Sequence, residues 1–106
     1  MIARIWRGAT EAREGDAYAR YLDETGVREY RETPGNQGVL VLRRRDGDLE
    51  RFELISFWPD MDAVRGFSAE PERAVFYPRD DEFLVERELT VTHLEVERAR
   101  GLPADI

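Results

Sequence analysis

Cysteine and lysine are both missing from this 106-residue chain, which holds one histidine, His93, and two serines, Ser56 and Ser68. Without cysteine there is no disulfide, no thiolate nucleophile, no iron–sulfur cluster and no cysteine-based zinc site. All 16 basic residues are arginine, which removes the Schiff-base lysine and with it lysine-anchored pyridoxal phosphate chemistry. One histidine cannot build a histidine-rich metal site. Neither serine sits in a nucleophile elbow, and no glycine-rich phosphate loop is present. No apolar run approaches the roughly 20 residues that cross a bilayer. Arginines interrupt the N-terminus too early for a signal-peptide core, so the expected localisation is cytoplasmic.

Charge is abundant: 23 acidic residues oppose the 16 arginines, for a net charge of −7. Such a surface repels nucleic-acid phosphates and anionic membranes, so neither is an expected partner. Hydrophobic residues make up 42% and charged residues 37%, the balance of a folded domain with a well-solvated surface. The length predicts one domain over 1–106 with a modest core, and a loosely held tail over 98–106.

Strand formers fill residues 2–7, and Gly8 is expected to end that strand. Asp16 is placed to cap a helix running to about Thr25, with Ala17, Tyr18, Tyr21 and Leu22 on one face. Gly26 stands where a left-handed C-cap is expected, and 27–32 adds a further short turn. Thr33-Pro34-Gly35-Asn36 breaks the chain. A strand over 38–45 follows, then a type I′ hairpin at Asp46-Gly47 and a strand over 50–58. In that strand Phe52, Leu54, Ser56 and Trp58 alternate with Glu53, Ile55 and Phe57, so both faces are expected to be covered. Asp60 is a helix cap, with Met61, Val64 and Phe67 turned inward. Pro71 suits the start of another helical turn through 74–76, and Asp80-Asp81-Glu82 opens a short turn that docks Phe83 and Leu84. The last strand is expected over 88–97, with His93 and Val91 on one face and Leu94 and Val96 on the other.

The order is strand, helix, strand, strand, helix, strand. It predicts an α+β, ferredoxin-like βαββαβ fold with an antiparallel sheet. Helices cover one sheet face. The second apolar face asks for a homodimer packed sheet on sheet.

Four residues are candidates for chemistry or binding. His93 titrates nearest neutrality and is the natural general base, or else a satisfied structural residue. Trp58 ends its strand beside a helix start, where it either stacks on a planar substrate or fills the core. Tyr77 offers a phenol between Phe76 and Pro78. The Asn36 amide either polarises a carbonyl or forms the turn.

The stretches Ile5-Trp6-Arg7-Gly8, Thr33-Pro34-Gly35-Asn36-x-Gly38, Leu54-Ile55-Ser56-x-Trp58, Ala74-Val75-Phe76-Tyr77-Pro78 and Val91-x-His93-x-Glu95-Val96 together resemble the antibiotic biosynthesis monooxygenase (ABM) superfamily. The resemblance implies a dimeric α/β barrel with a small cavity between sheet and helices. It also implies diverse activities, among them cofactor-independent oxidation of anthrone-like polyketides by dioxygen and degradation of haem. Trp58 matches a tryptophan of the haem-degrading branch. Tyr77 stands in the neighbourhood where that branch carries its axial histidine, and Arg4, Ile5 and Trp6 fill the stretch where it carries an asparagine.

The expected function is thus a cofactor-independent monooxygenase acting on a small planar phenol, anthrone or quinol. His93 would be the base, and Trp58, Tyr77 and Asn36 would contact the substrate. The alternatives are a non-enzymatic dimer binding a small apolar or aromatic ligand, and an isomerase or cyclase using the same base.

Overall fold

Residues 1–102 are described by a computed structural model. The end of the expected tail, 103–106, lies outside the described residues. The sheet is organised around β1 (Ile2–Glu11), which pairs along its whole length with β3 (Leu49–Trp58), antiparallel, from Ile2 opposite Trp58 to Glu11 opposite Leu49. β1 therefore runs on through Gly8 instead of ending there. Continuous pairing with β3 gives each residue beyond Gly8 a ladder partner, and that outweighs the weak strand propensity of glycine.

β2 (Gly38–Asp46) pairs with β3 as a hairpin closed by Gly47 and Asp48. Gly47 has a φ of 61°, and among the described residues no non-glycine residue has positive φ. The turn is accordingly of the II′ kind, with glycine at its first central position, and not the expected I′.

On its other edge β1 carries two short strands in place of the single one expected over 88–97. β4 (Leu84–Arg87) pairs with Gly8–Thr10, and β5 (Thr92–Glu95) pairs with Ile2–Ile5. The chain between them turns its hydrogen bonds elsewhere. Ala74 N–H donates to Leu89 O and Val91 N–H to Glu72 O, both at 3.0 Å. This competing partner also explains why Pro71 opens no helix: after the single turn in which Arg73 N–H donates to Glu70 O, residues 72 and 74 bond to 91 and 89.

The helices lie over one face. α1 (Gly15–Glu24) buries Tyr18, Tyr21 and Leu22, as its spacing predicts. Asp16 lies inside its first turn, not at its cap, and pairs with Arg43 at 3.1 Å. Gly26 does not take a left-handed cap. Thr25 makes the break itself (φ −117°, ψ −92°), and α2 (Gly26–Glu32) restarts at once. α3 (Met61–Phe67) is capped as expected, the Asp60 carboxylate accepting from Ala63 N–H at 2.9 Å. α4 (Asp80–Phe83) is a single turn.

Under these helices the even positions of β3, from Glu50 to Trp58, are all buried. Trp58, fully buried, packs with Tyr30 and Phe67 at one end of the core. Tyr18, Phe52 and Phe83 cluster at the other. Burying an aromatic of this size removes about 200 Å² from water, on the order of 5 kcal/mol per ring as an upper bound. The opposite face carries Ile5, Leu40, Leu42, Ile55, Phe57 and Leu94, by the β1–β3, β2–β3 and β1–β5 registers. Leu42 and Leu94 are 43% and 53% exposed. The fold is α+β, antiparallel and ferredoxin-like, with strand order β2-β3-β1-β4.

Candidate functional site

Between the aromatic clusters the helices do not quite close on the sheet. β1 contributes Trp6, α1 contributes Tyr18 and Leu22, α2 contributes Tyr30, and α3 contributes Phe67. The uncoiled strap 74–77 and Asp80 complete the wall. The space enclosed is about 30 Å³, room for about one water. Six aromatic rings line it: Trp6, Tyr18, Tyr30, Phe67, Phe76 and Tyr77. Trp6 is fixed by its Nε1–H, which donates to Glu88 O at 2.8 Å, and its ring meets the edge of Phe76.

Among the described residues Asp80 is the only charged side chain in this wall. It is 4% exposed, and its Oδ2 accepts the Tyr77 N–H at 2.6 Å. Burial pushes its carboxyl above the ordinary carboxylate value, against the pull of the Tyr77 N–H and the Arg87 guanidinium. Burial, and then the Asp80 charge, push the Tyr18 hydroxyl well above the usual phenol value. The Tyr77 hydroxyl donates to the Glu29 carboxylate and is raised by burial and by Glu29. Both phenols thus stay protonated as hydrogen-bond donors at physiological pH.

A larger groove, about 570 Å³, is lined by Arg7, Arg44, Arg51, Glu53, Glu86 and Glu88 among others. Its charges are largely satisfied within the groove itself: Arg7 pairs with Glu53 at 2.5 Å and Arg51 with Glu86 at 2.8 Å. It lacks the apolar wall with a few unpaired polar groups that marks a small-molecule site.

No protein-family model matches the sequence, and no curated protein matches it. Solved structures do. Heme-degrading MhuD from Mycobacterium tuberculosis, with two hemes bound in its active site, superposes with a TM-score of 0.63 at 18% identity, covering 95% of this chain and 100% of that one. Rv0793 from the same organism gives 0.57 at 18%, covering 94% and 98%. A Bacillus cereus structure assigned to the antibiotic biosynthesis monooxygenases gives 0.58 at 14%, covering 95% and 96%. The chain has the ABM fold.

On this ABM fold the four candidate residues separate. Tyr77 lines the cavity. Trp58 stands one layer behind it, against Tyr30 and Phe67, with its Nε1–H donating to Ser56 Oγ at 2.9 Å. Asn36 builds its turn, its side-chain oxygen accepting from Gly38 N–H and its amide donating to the Gly38 and Phe57 carbonyls. His93 faces the helix layer opposite Arg4, with its Nε2 3.1 Å from Arg4 Nη1. Arginine cannot accept, so Nε2 is the acceptor and the ring is neutral. Burial and then Arg4 lower the His93 pKa, with Glu72 opposing.

Sequence reading missed Asp80, Trp6 and Arg4. Asp80 reads as an ordinary helix-start acid; the available signal was its place between Phe76-Tyr77 and Phe83-Leu84. Arg4 is 1% exposed, donates to Pro71 O at 2.5 Å and Arg73 O at 2.9 Å, and lies over the Phe67 ring. Its signal was an arginine at an inward position of an apolar strand.

Proposed function

We propose that the protein is a monooxygenase-type enzyme of the ABM superfamily, working as a homodimer without a cofactor on a small planar phenol, anthrone or quinol. The observation that carries this reading is the cavity walled by six aromatic rings and one buried carboxylate. A flat, electron-rich ring stacks well there. Loss of a proton makes the substrate an anion that gives electrons to dioxygen directly, and a dry wall keeps that anion from water. The chain's part is to hold the ring, exclude solvent and take the proton.

Entry requires the cavity to open, because about 30 Å³ is far below the roughly 300 Å³ of a ligand pocket. The strap 74–77 is the element suited to move. It has neither helix nor strand, and its Val75 and Phe76 are each over a third exposed. Haem suits the chain less well. It needs a far larger opening, and His93, the only imidazole, is engaged by Arg4 and is not part of the cavity wall. The apolar sheet face opposite the helices supports the homodimer, since a second copy would bury Leu42, Phe57 and Leu94.

Oxygen uptake by the purified protein, measured against a panel of anthrones, quinols and naphthols, tests this reading. Uptake with formation of the oxidised product is expected for at least one member. Binding of these compounds without uptake would replace the enzyme by the second reading, a dimer that binds a small aromatic ligand. The closed cavity favours that second reading only if ligands enter and leave unchanged.

A further inference from the structure

Burying a carboxylate without a cation costs several kcal/mol unless something compensates. Asp80 is only partly compensated: burial is the largest influence on its carboxyl, with the Tyr77 N–H, the Arg87 guanidinium and the Tyr18 hydroxyl opposing it. Arg87, the cation on that side, acts on Asp80 from a distance, while its direct ion pair is with Asp81 at 2.8 Å. The structural duties visible at Asp80 are to accept the Tyr77 N–H and the Tyr18 hydroxyl, and to close the turn in which its own N–H donates to Tyr77 O at 3.0 Å. A neutral asparagine would do the same without the buried charge. The turn itself does not require the charge, which sits among the described residues in the wall of an otherwise uncharged aromatic cavity.

We infer that Asp80 is the proton acceptor of this cavity, and that the site selects aromatic substrates carrying a hydroxyl or enolised carbonyl, bound as donors to the Asp80 carboxylate. The inference rests on the proposed function and names the substrate class of that site. In the step itself the substrate O–H bond breaks, its electron pair stays on the substrate oxygen, and the proton forms an O–H bond on Asp80. Release to solvent returns the carboxylate. The raised pKa brings Asp80 nearer to that of an acidic phenol, which eases the transfer. The groups facing Asp80 are Tyr18 from α1, Tyr77 from the strap, Asp81 beside it and Arg87 from β4. The two phenols stay neutral, so the titration in the cavity wall is that of Asp80.

The test compares 1-naphthol with 1-methoxynaphthalene, which has the same rings and no donor, binding to wild type and Asp80→Asn across pH. A charge-assisted hydrogen bond predicts that wild type prefers the naphthol by about 10- to 100-fold. That preference should fall as pH drops and Asp80 takes a proton, while the ether's binding stays flat. Asp80→Asn should fold, bind the ether as wild type does, and keep only a small naphthol preference with no pH dependence. Its oxygen uptake should fall by about 100-fold or more. Equal binding of naphthol and ether by wild type, or an undiminished preference in Asp80→Asn, overturns the role of Asp80 and leaves the aromatic cavity standing. Binding of neither compound overturns the cavity reading as well. If Asp80→Asn does not fold, the wild-type ratio and its pH profile decide alone.

Discussion

Gly8 lies on the helix-facing side of β1, two residues from Trp6, and the indole stands over it. A Cβ at position 8 would meet Trp6 Cη2 at 2.5 Å, Trp6 Cζ2 at 2.9 Å and Leu84 Cδ2 at 3.2 Å. Carbon contacts settle near 3.5–4.0 Å, so the ring must retreat by about 1 Å to admit Gly8→Ala. The indole is not free to do so, because its Nε1–H is bonded to Glu88 O and it already walls the cavity. Overpacking of this kind costs about 1–3 kcal/mol. Alanine in a strand recovers about 0.5–1 kcal/mol of backbone entropy over glycine. The net expectation for Gly8→Ala is a loss of about 0.5–2 kcal/mol, read as a lower urea midpoint with unchanged slope. In a domain of this size each kcal/mol lowers Tm by about 4–8 °C. Trp6→Leu removes the obstruction, so on that background Gly8→Ala should be neutral or stabilising, with a coupling of about 1–3 kcal/mol between the two sites. A stabilising Gly8→Ala in wild type, or an equal cost in both backgrounds, would refute the claim that Trp6 fills the place of the missing side chain.

Arg4→Met keeps the bulk but leaves the Pro71 and Arg73 carbonyls without donors, and should cost about 1–3 kcal/mol in urea unfolding. It should also speed amide exchange in the strap 74–77, and Arg4→Lys should not restore protection because one ammonium lacks the planar fork. His93 has a folded pKa below its ordinary 6.5, so the unfolded chain binds its proton more tightly. The His93 contribution is then present above about pH 6.5 and lost as pH falls, and His93→Gln should flatten that part of the stability–pH curve between pH 7 and 5. Asp60→Ala removes the bond to Ala63 N–H and should lower stability by about 1 kcal/mol without altering the sheet.

Local rules made much of this molecule readable before any tertiary contact was considered. The alternation through Phe52, Leu54, Ser56 and Trp58 set which face of β3 goes inward, because successive side chains must point to opposite sides of a strand. The spacing of Tyr18, Tyr21 and Leu22 did the same for α1, and Asp60 marked the start of α3 through its own side chain. The antiparallel ferredoxin-like order followed from the succession of such elements. Other features depend on partners far away in the chain. Residues 89–91 leave β1 because residues 72–74 offer competing hydrogen bonds, so one expected strand became two. Gly8 continues a strand because β3 pairs along its whole length. His93 points at Arg4 and Asp80 into the aromatic wall for the same kind of reason. An acid at a helix start looks alike in sequence whether water or six rings surround it. Only the packing of α1, α2 and the strap over the sheet decided that Asp80 is buried, and burial is what turns an ordinary carboxylate into one able to take a substrate's proton.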